Sequence, residues 1–183
     1  HATNYLKTDS YAGYQKHGYL RQISLLHVSG TGGSPTYGVV GQLPLMLEKE
    51  TDMYQYDIGM GIARASPDSA HLGYYNINLA NNVNAEFTAG SKSAMIKYTV
   101  NDPEIDKNFY VLVNTTEHLN SFNRPWWSQK VSDSKIMINE NMQSYEGFIE
   151  VTNGWSSTDS SKFISLLNLI KSLTVLLLTQ INN

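Results

Sequence analysis

The sequence predicts an all-β sandwich, and three observations carry that expectation. Short β-prone runs recur about ten residues apart, with turn-forming residues between them. No apolar stripe of helical period is present before residue 160. The 183 residues include 12 tyrosines and are rich in Asn, Ser and Thr, which suits strands joined by polar loops. One domain over residues 1–183 is long enough to bury a sizeable core.

Taken in order, His1 to Gly18 reads as a polar, tyrosine-rich loop. Tyr19 to Val28 reads as a strand, and Tyr37 to Leu47 as its partner or neighbour, interrupted by Pro44. Tyr54 to Ile62 alternates like a strand, with Gly59 and Gly61 suggesting a bulge or a close backbone approach. Arg64 to Ser69 is a turn around Pro67. Gly73 to Leu79 and Val83 to Phe87 form two strands joined at Asn81-Asn82. Ala94 to Val100 and Phe109 to Asn114 flank the turn at Asn101-Asp102-Pro103. Lys135 to Asn139 and Tyr145 to Thr152 continue the pattern. Beyond residue 160, Phe163, Leu166, Leu167, Ile170 and Leu173 fall at helical spacing, while Thr174 to Leu178 reads as helix or strand.

Composition excludes several classes. A net charge of −3, with no Lys/Arg-rich run, leaves no footprint for nucleic acid. The absence of cysteine rules out disulfides and thiolate metal sites without bearing on secretion. Asn114-Thr115-Thr116 is a glycosylation sequon, and Asn114 is the candidate acceptor on a secretory route. Phe163 to Leu178 is too short and too interrupted to span a membrane. His1 is not an initiator methionine, so the expectation is a processed chain or a fragment.

Few residues advertise chemistry. Histidines 1, 17, 27, 71 and 118 lack metal-ligand spacing. Ser29 lacks the elbow of a hydrolase nucleophile. Asp52, Asp57, Glu86, Glu146 and Glu150 are scattered over alternating runs, and no spacing selects an acid–base pair among them. Trp126 and Trp127 follow Asn123-Arg124-Pro125, and adjacent tryptophans in an extended segment point to opposite sides. One is then a sugar-stacking platform, or both are core.

The stretch from His27 to Pro35 concentrates glycine, at Gly30, Gly32 and Gly33, between two β-prone runs. Such a turn is a tight structural corner or a place where backbone amides face a ligand. With its flanks, from Ala12 to Met46, it resembles glycoside hydrolase family 92, the exo-acting α-mannosidases, and their fungal-type members in particular. The matching residues are His27, Ser29, Gly30, Thr31, Gly32 and Gly33, then Pro35, Tyr37, Gly38, Gln42 and Pro44. Ala70 to Tyr75, Ala85 to Ala89 and Ala94 to Tyr98 are similar to a second family stretch, and Ser144 to Phe148 with Asn153 to Trp155 to a third.

The resemblance implies the family's N-terminal domain, a large two-sheet antiparallel β-sandwich of supersandwich type, begun inside the domain. It implies terminal α-mannose hydrolysis with inversion, which needs one carboxylic acid and one carboxylate. It also implies a calcium ion. The family places that machinery in a C-terminal (α/α)6 catalytic domain, a partner this chain does not contain. Arg21-Gln22 departs from the family's glycine and phenylalanine, and the leucine-rich tail departs from its aromatic strand. If the fold holds, Phe163 to Asn168 is a strand despite its helical pattern.

Three readings follow. The chain is the inactive N-terminal portion of a secreted α-mannosidase acting on α-1,2-linked mannose; or a stand-alone lectin for mannose or N-glycans; or a ligand-free structural domain. On the first two, Tyr11, Tyr14, His27, Ser29, Gly30, Thr31, Gly32, Trp126 and Trp127 are the sugar-binding candidates. No catalytic or metal-ligating residue is expected in the chain itself.

Overall fold

The computed structural model of the chain describes residues 2–5, 18–25, 40–57, 60–91, 93–115, 130–139, 144–153, 156–168 and 175–178. The fold is all-β, as expected. Strands β1 (Ala2–Tyr5), β2 (Tyr19–Ile23), β3 (Gly41–Leu47), β8 (Asn108–Asn114) and β12 (Val175–Leu178) form a five-stranded sheet in the order β1-β2-β3-β8-β12. Strands β4 (Ser69–His71), β5 (Tyr74–Asn78), β6 (Val83–Ala89) and β7 (Ala94–Val100) form an antiparallel meander. Strands β9 (Lys130–Ile138), β10 (Ser144–Asn153) and β11 (Ser156–Asn168) form a third sheet in the order β11-β10-β9. Every described pairing is antiparallel except that of β12 with β8.

The five-stranded sheet is the middle layer. Side chains alternate across a strand, so Tyr110 and Leu112 of β8 face one way while Val111 and Val113 face the other. The first pair packs with Leu43 and Leu45 of β3 against Ile77, Val83 and Ala85 of the meander. The second pair packs against Tyr145, Ile149 and Val151 of β10. A strand covered on both faces reads as a continuous apolar run, which is why Phe109 to Val113 shows no alternation.

Pro44 sits inside β3, opposite Val111, where a proline should remove a ladder bond. The cost is avoided because, among the described residues, β2 meets β3 only at Ile23 and Gln42. Beyond that point no described strand pairs with the far edge of β3, and the Pro44 carbonyl accepts a 2.9 Å hydrogen bond from Asn81 Nδ2. Asn81 belongs to the Ala80-Asn81-Asn82 loop between β5 and β6. Asn82 takes a left-handed φ of 70°, which asparagine tolerates, and Leu79 N–H donates to Val83 O across the loop.

Several boundaries differ from expectation. The first residues are not all loop, since Ala2–Tyr5 pairs with β2. Glu50–Gln55 closes as a 3-10 turn in place of the alternating strand expected from Tyr54. Asp52 drives this locally: its carboxylate accepts from Lys49 N–H and its own N–H donates to Lys49 O. Among the described residues of that stretch, only Ile62 keeps strand-like pairing, in a two-bond bridge to Leu20. Phe163 to Asn168 is strand, because β10 offers a long edge from Ser144 to Val151 on which it pairs in register. That pairing outweighs the helical spacing of its leucines.

Candidate functional site

The registers fix which connections leave which end of the middle sheet. Ala2, Ile23, Gln42, Asn114 and Leu178 lie at one end, where Ile23 pairs with Ala2 and Gln42, and Asn114 with Gly41 and Leu178. Tyr5, Tyr19, Leu47 and Asn108 lie at the other. The glycine-rich segment therefore departs after Leu25 and returns at Val40 on the same end from which the segment carrying Trp126 and Trp127 departs after Thr115. The segment with Tyr11 and Tyr14 joins Tyr5 to Gly18 at the opposite end. Those two tyrosines, His27, Ser29, Gly30, Thr31, Gly32, Trp126 and Trp127 themselves lie outside the described residues.

The end shared by the first two segments is built unlike the rest of the core. Gln22, Ser24, Gln42, Asn114 and Thr115 are buried polar residues gathered there. Buried carboxamides and hydroxyls persist only where they are hydrogen-bonded or serve another purpose. Gln42, 7% exposed, is gripped from both sides of the sandwich. Its Oε1 accepts from the Tyr98 hydroxyl of β7 at 3.1 Å, and its Nε2 donates to the Tyr145 hydroxyl of β10 at 3.2 Å. Desolvation raises both phenols, Tyr98 strongly and Tyr145 to about 12, so both stay neutral.

Next to Gln42, Gly41 is required for space. A Cβ there would run into the Gln22 carboxamide, which lies across it. Val40 before it has φ of 53°, in the left-handed region that a β-branched residue rarely adopts. Strain of this kind costs about 1–3 kcal/mol and persists where the surroundings over-determine the backbone. The glycine-rich segment is thus delivered to the sheet by a strained residue, a spacer and a clamped glutamine. On the neighbouring stem, Thr115 Oγ1 is buried with no hydrogen-bond partner among the described residues.

The opposite end is pinned differently. Arg64 Nε and Asp68 Oδ1 form a buried ion pair at 2.7 Å. Asp68 also accepts from the Tyr75 hydroxyl, and Arg64 donates to the Gly18 carbonyl at 2.6 Å. This ties the start of β2 to the meander.

Asn114 is 4% exposed at the end of β8. In the folded sheet its carboxamide is buried. The carboxylates remain dispersed. Asp52 serves its own turn, Glu86 lies on the meander's outer face, and Glu146 and Glu150 alternate with the inward Tyr145, Ile149 and Val151. Among the described residues no three His, Asp or Glu side chains come together as metal ligands. No helix among them is long and apolar enough to cross a membrane.

Sequence reasoning singled out Gln42 only as a matching position and overlooked its clamp. One signal was available: a lone glutamine inside the apolar run from Val39 to Leu45 must find partners for its carboxamide.

Residues 2–166 match the family described as Glycosyl hydrolase family 92 N-terminal domain. No curated protein and no solved structure matches the chain.

Proposed function

Because the chain belongs to the glycosyl hydrolase family 92 N-terminal domain family, we propose that it is the β-sandwich portion of a secreted α-mannosidase. On this reading the enzyme removes terminal α-linked mannose, α-1,2-linked in particular, from N-glycans or other α-mannosides with inversion. The acid, the base and the calcium ion belong to a separate catalytic domain, and this chain alone is inactive.

The observation that carries the reading, beside the family membership, is the over-determined end of the middle sheet. A domain that only had to fold would gain nothing from burying five polar residues around a strained valine. Strain and buried polar networks gather where a loop must be held for a ligand or a partner domain. On this reading the segment from His27 to Gly32, which follows β2 in sequence, forms a wall of the sugar site facing the catalytic domain in the intact enzyme. Trp126 or Trp127, in the segment that follows β8 in sequence, supplies a stacking surface.

The test is hydrolysis of 4-nitrophenyl α-mannoside and of α-1,2-mannobiose. The expected result is release by the protein carrying the catalytic domain and none by the 183-residue chain. Turnover by the isolated chain would overturn the division of labour. Calorimetric titration of the isolated chain with mannose covers the lectin alternative: binding lost on Trp126→Ala or Trp127→Ala would replace the enzyme-fragment reading.

A further inference from the structure

The outer face of the four-stranded meander is not an ordinary solvated sheet. Ile77, Ala85 and Tyr98 pair across β5, β6 and β7 and point into the core. The residues between them therefore point out, in registered rows. Tyr74, Thr88 and Met95 make one row, with His71 beside Tyr74. Asn76, Glu86 and Lys97 make the next, and Asn78, Asn84 and Thr99 the third.

The first row is aromatic and apolar. The His71 and Tyr74 rings stack 4.6 Å apart at 11° between planes, Met95 is 53% exposed, and Leu72 is fully exposed at the adjoining turn. The second row is a fixed set of hydrogen-bonding groups. The Tyr74 hydroxyl donates to Glu86 Oε1 at 2.7 Å, and Lys97 Nζ donates to Glu86 Oε2 at 2.8 Å. These two bonds, Lys97's first, hold the Glu86 carboxyl below its usual range, so it is ionised at neutral pH. The third row extends the set: Asn76 Nδ2 donates to Asn84 Oδ1 at 2.7 Å, and Asn84 and Asn101 both donate to Asn78 Oδ1. An amide carries two donors and an acceptor oxygen with two lone pairs, more than these bonds use.

From this juxtaposition we infer that the meander's outer face is a saccharide-binding platform, separate from the end of the middle sheet. An apolar strip beside rows of oriented amide and carboxylate groups matches a pyranose chain, whose C–H faces stack on rings while its hydroxyls bond sideways. The charges select a neutral ligand. Glu86 and Lys97 cancel one another, which leaves no field to attract an anion or a polycation. The face also lacks the contiguous apolar centre on which protein partners dock. Four strands span ~14 Å across, room for more than one linked sugar, so the ligand is an extended glycan. The pre-set Tyr74 ring loses little freedom on binding.

The probe is a linear α-mannotetraose titrated into the 183-residue chain, followed by calorimetry and by amide shifts in β4 to β7. Binding is expected with shifts confined to this meander. Tyr74→Ala weakens it at least about tenfold, and Glu86→Gln weakens it by a smaller factor. Thr88→Lys, at an exposed position on the apolar row, blocks it sterically without touching the core. Circular dichroism of each variant separates lost binding from lost folding. Absence of binding to the wild-type chain overturns the platform and leaves the hydrolase reading untouched. Binding that survives both Tyr74→Ala and Thr88→Lys overturns it equally, because the sugar then sits elsewhere.

Discussion

A glutamine in the apolar run that leads into β3 has a carboxamide to satisfy, and Gln42 satisfies it with one tyrosine from each flanking sheet. Gln42→Leu keeps the volume and strands two buried phenols. Each unsatisfied group costs about 1–3 kcal/mol, so the expected loss is about 2–6 kcal/mol in urea unfolding. Tyr145→Phe, which leaves only one end of the carboxamide short, should cost less. The same phenols set an alkaline limit. Tyr145 has its pKa raised to about 12 in the folded chain against an ordinary value of 10.0. The folded state thus keeps a proton that the unfolded chain releases. Stability is fully present below pH 10 and falls as pH rises through 10 toward 12, by roughly 2–3 kcal/mol for this group. Tyr98 is raised for the same reason and adds to the slope. Urea midpoints measured from pH 8 to pH 12 check this, and Tyr145→Phe should flatten the fall. A wild-type midpoint that stays level across that range would contradict the burial of these hydroxyls.

At the scale of elements, the third sheet depends on close approach between β9 and β10. Gly147 pairs with Ile136, and a Cβ on it would meet the backbone carbonyl of Lys135. A side chain there cannot be relieved by a rotamer change, so Gly147→Ala should cost more than about 1 kcal/mol. Hydrogen exchange should rise in β9 before the meander is affected; uniform protection in the variant would show that the strands can separate at no cost. How far such elements were legible varied with what set them. The last three strands of the meander were read because their turn residues and alternation are local, whereas the short β4 (Ser69–His71) was missed at the edge of the turn around Pro67. Asn82 and the pairs from Tyr74 to Val100 needed no distant partner to be recognised. Glu50–Gln55 was misread because one carboxylate bonding its own backbone outweighed an alternating pattern. The strand at Phe163 was legible only through the family likeness, because its pairing partner, not its own spacing, dictates it. The Gln42 clamp joins residues 56 and 103 positions apart, and no local pattern encodes such a distance.

For the whole molecule, the candidate site divides in the same way. Sequence pointed to the His27–Gly32 and Trp126-Trp127 segments, and the sheet registers show that the strands preceding them, β2 and β8, finish at one end of the middle layer, while β1, which precedes the segment with Tyr11 and Tyr14, finishes at the other. That placement needed the order β1-β2-β3-β8-β12, which brings together residues more than sixty positions apart in the chain and which composition does not reveal. The middle position of β8 has a consequence for how the chain assembles. Its apolar run Phe109 to Val113 has two faces to hide, one beneath the meander and one beneath β10. The meander is complete in sequence before β8 begins, but β10 begins only at Ser144, about thirty residues beyond the end of β8. During synthesis the strand therefore emerges with one cover ready and the other not yet made. Long-range pairing is slow to form, and a short, uncharged, β-prone run left open meanwhile is the kind of segment that cross-pairs between chains. The layer that gives the domain its rigidity is thus also its point of greatest exposure to misassembly, until residues 145–151 arrive to close over it.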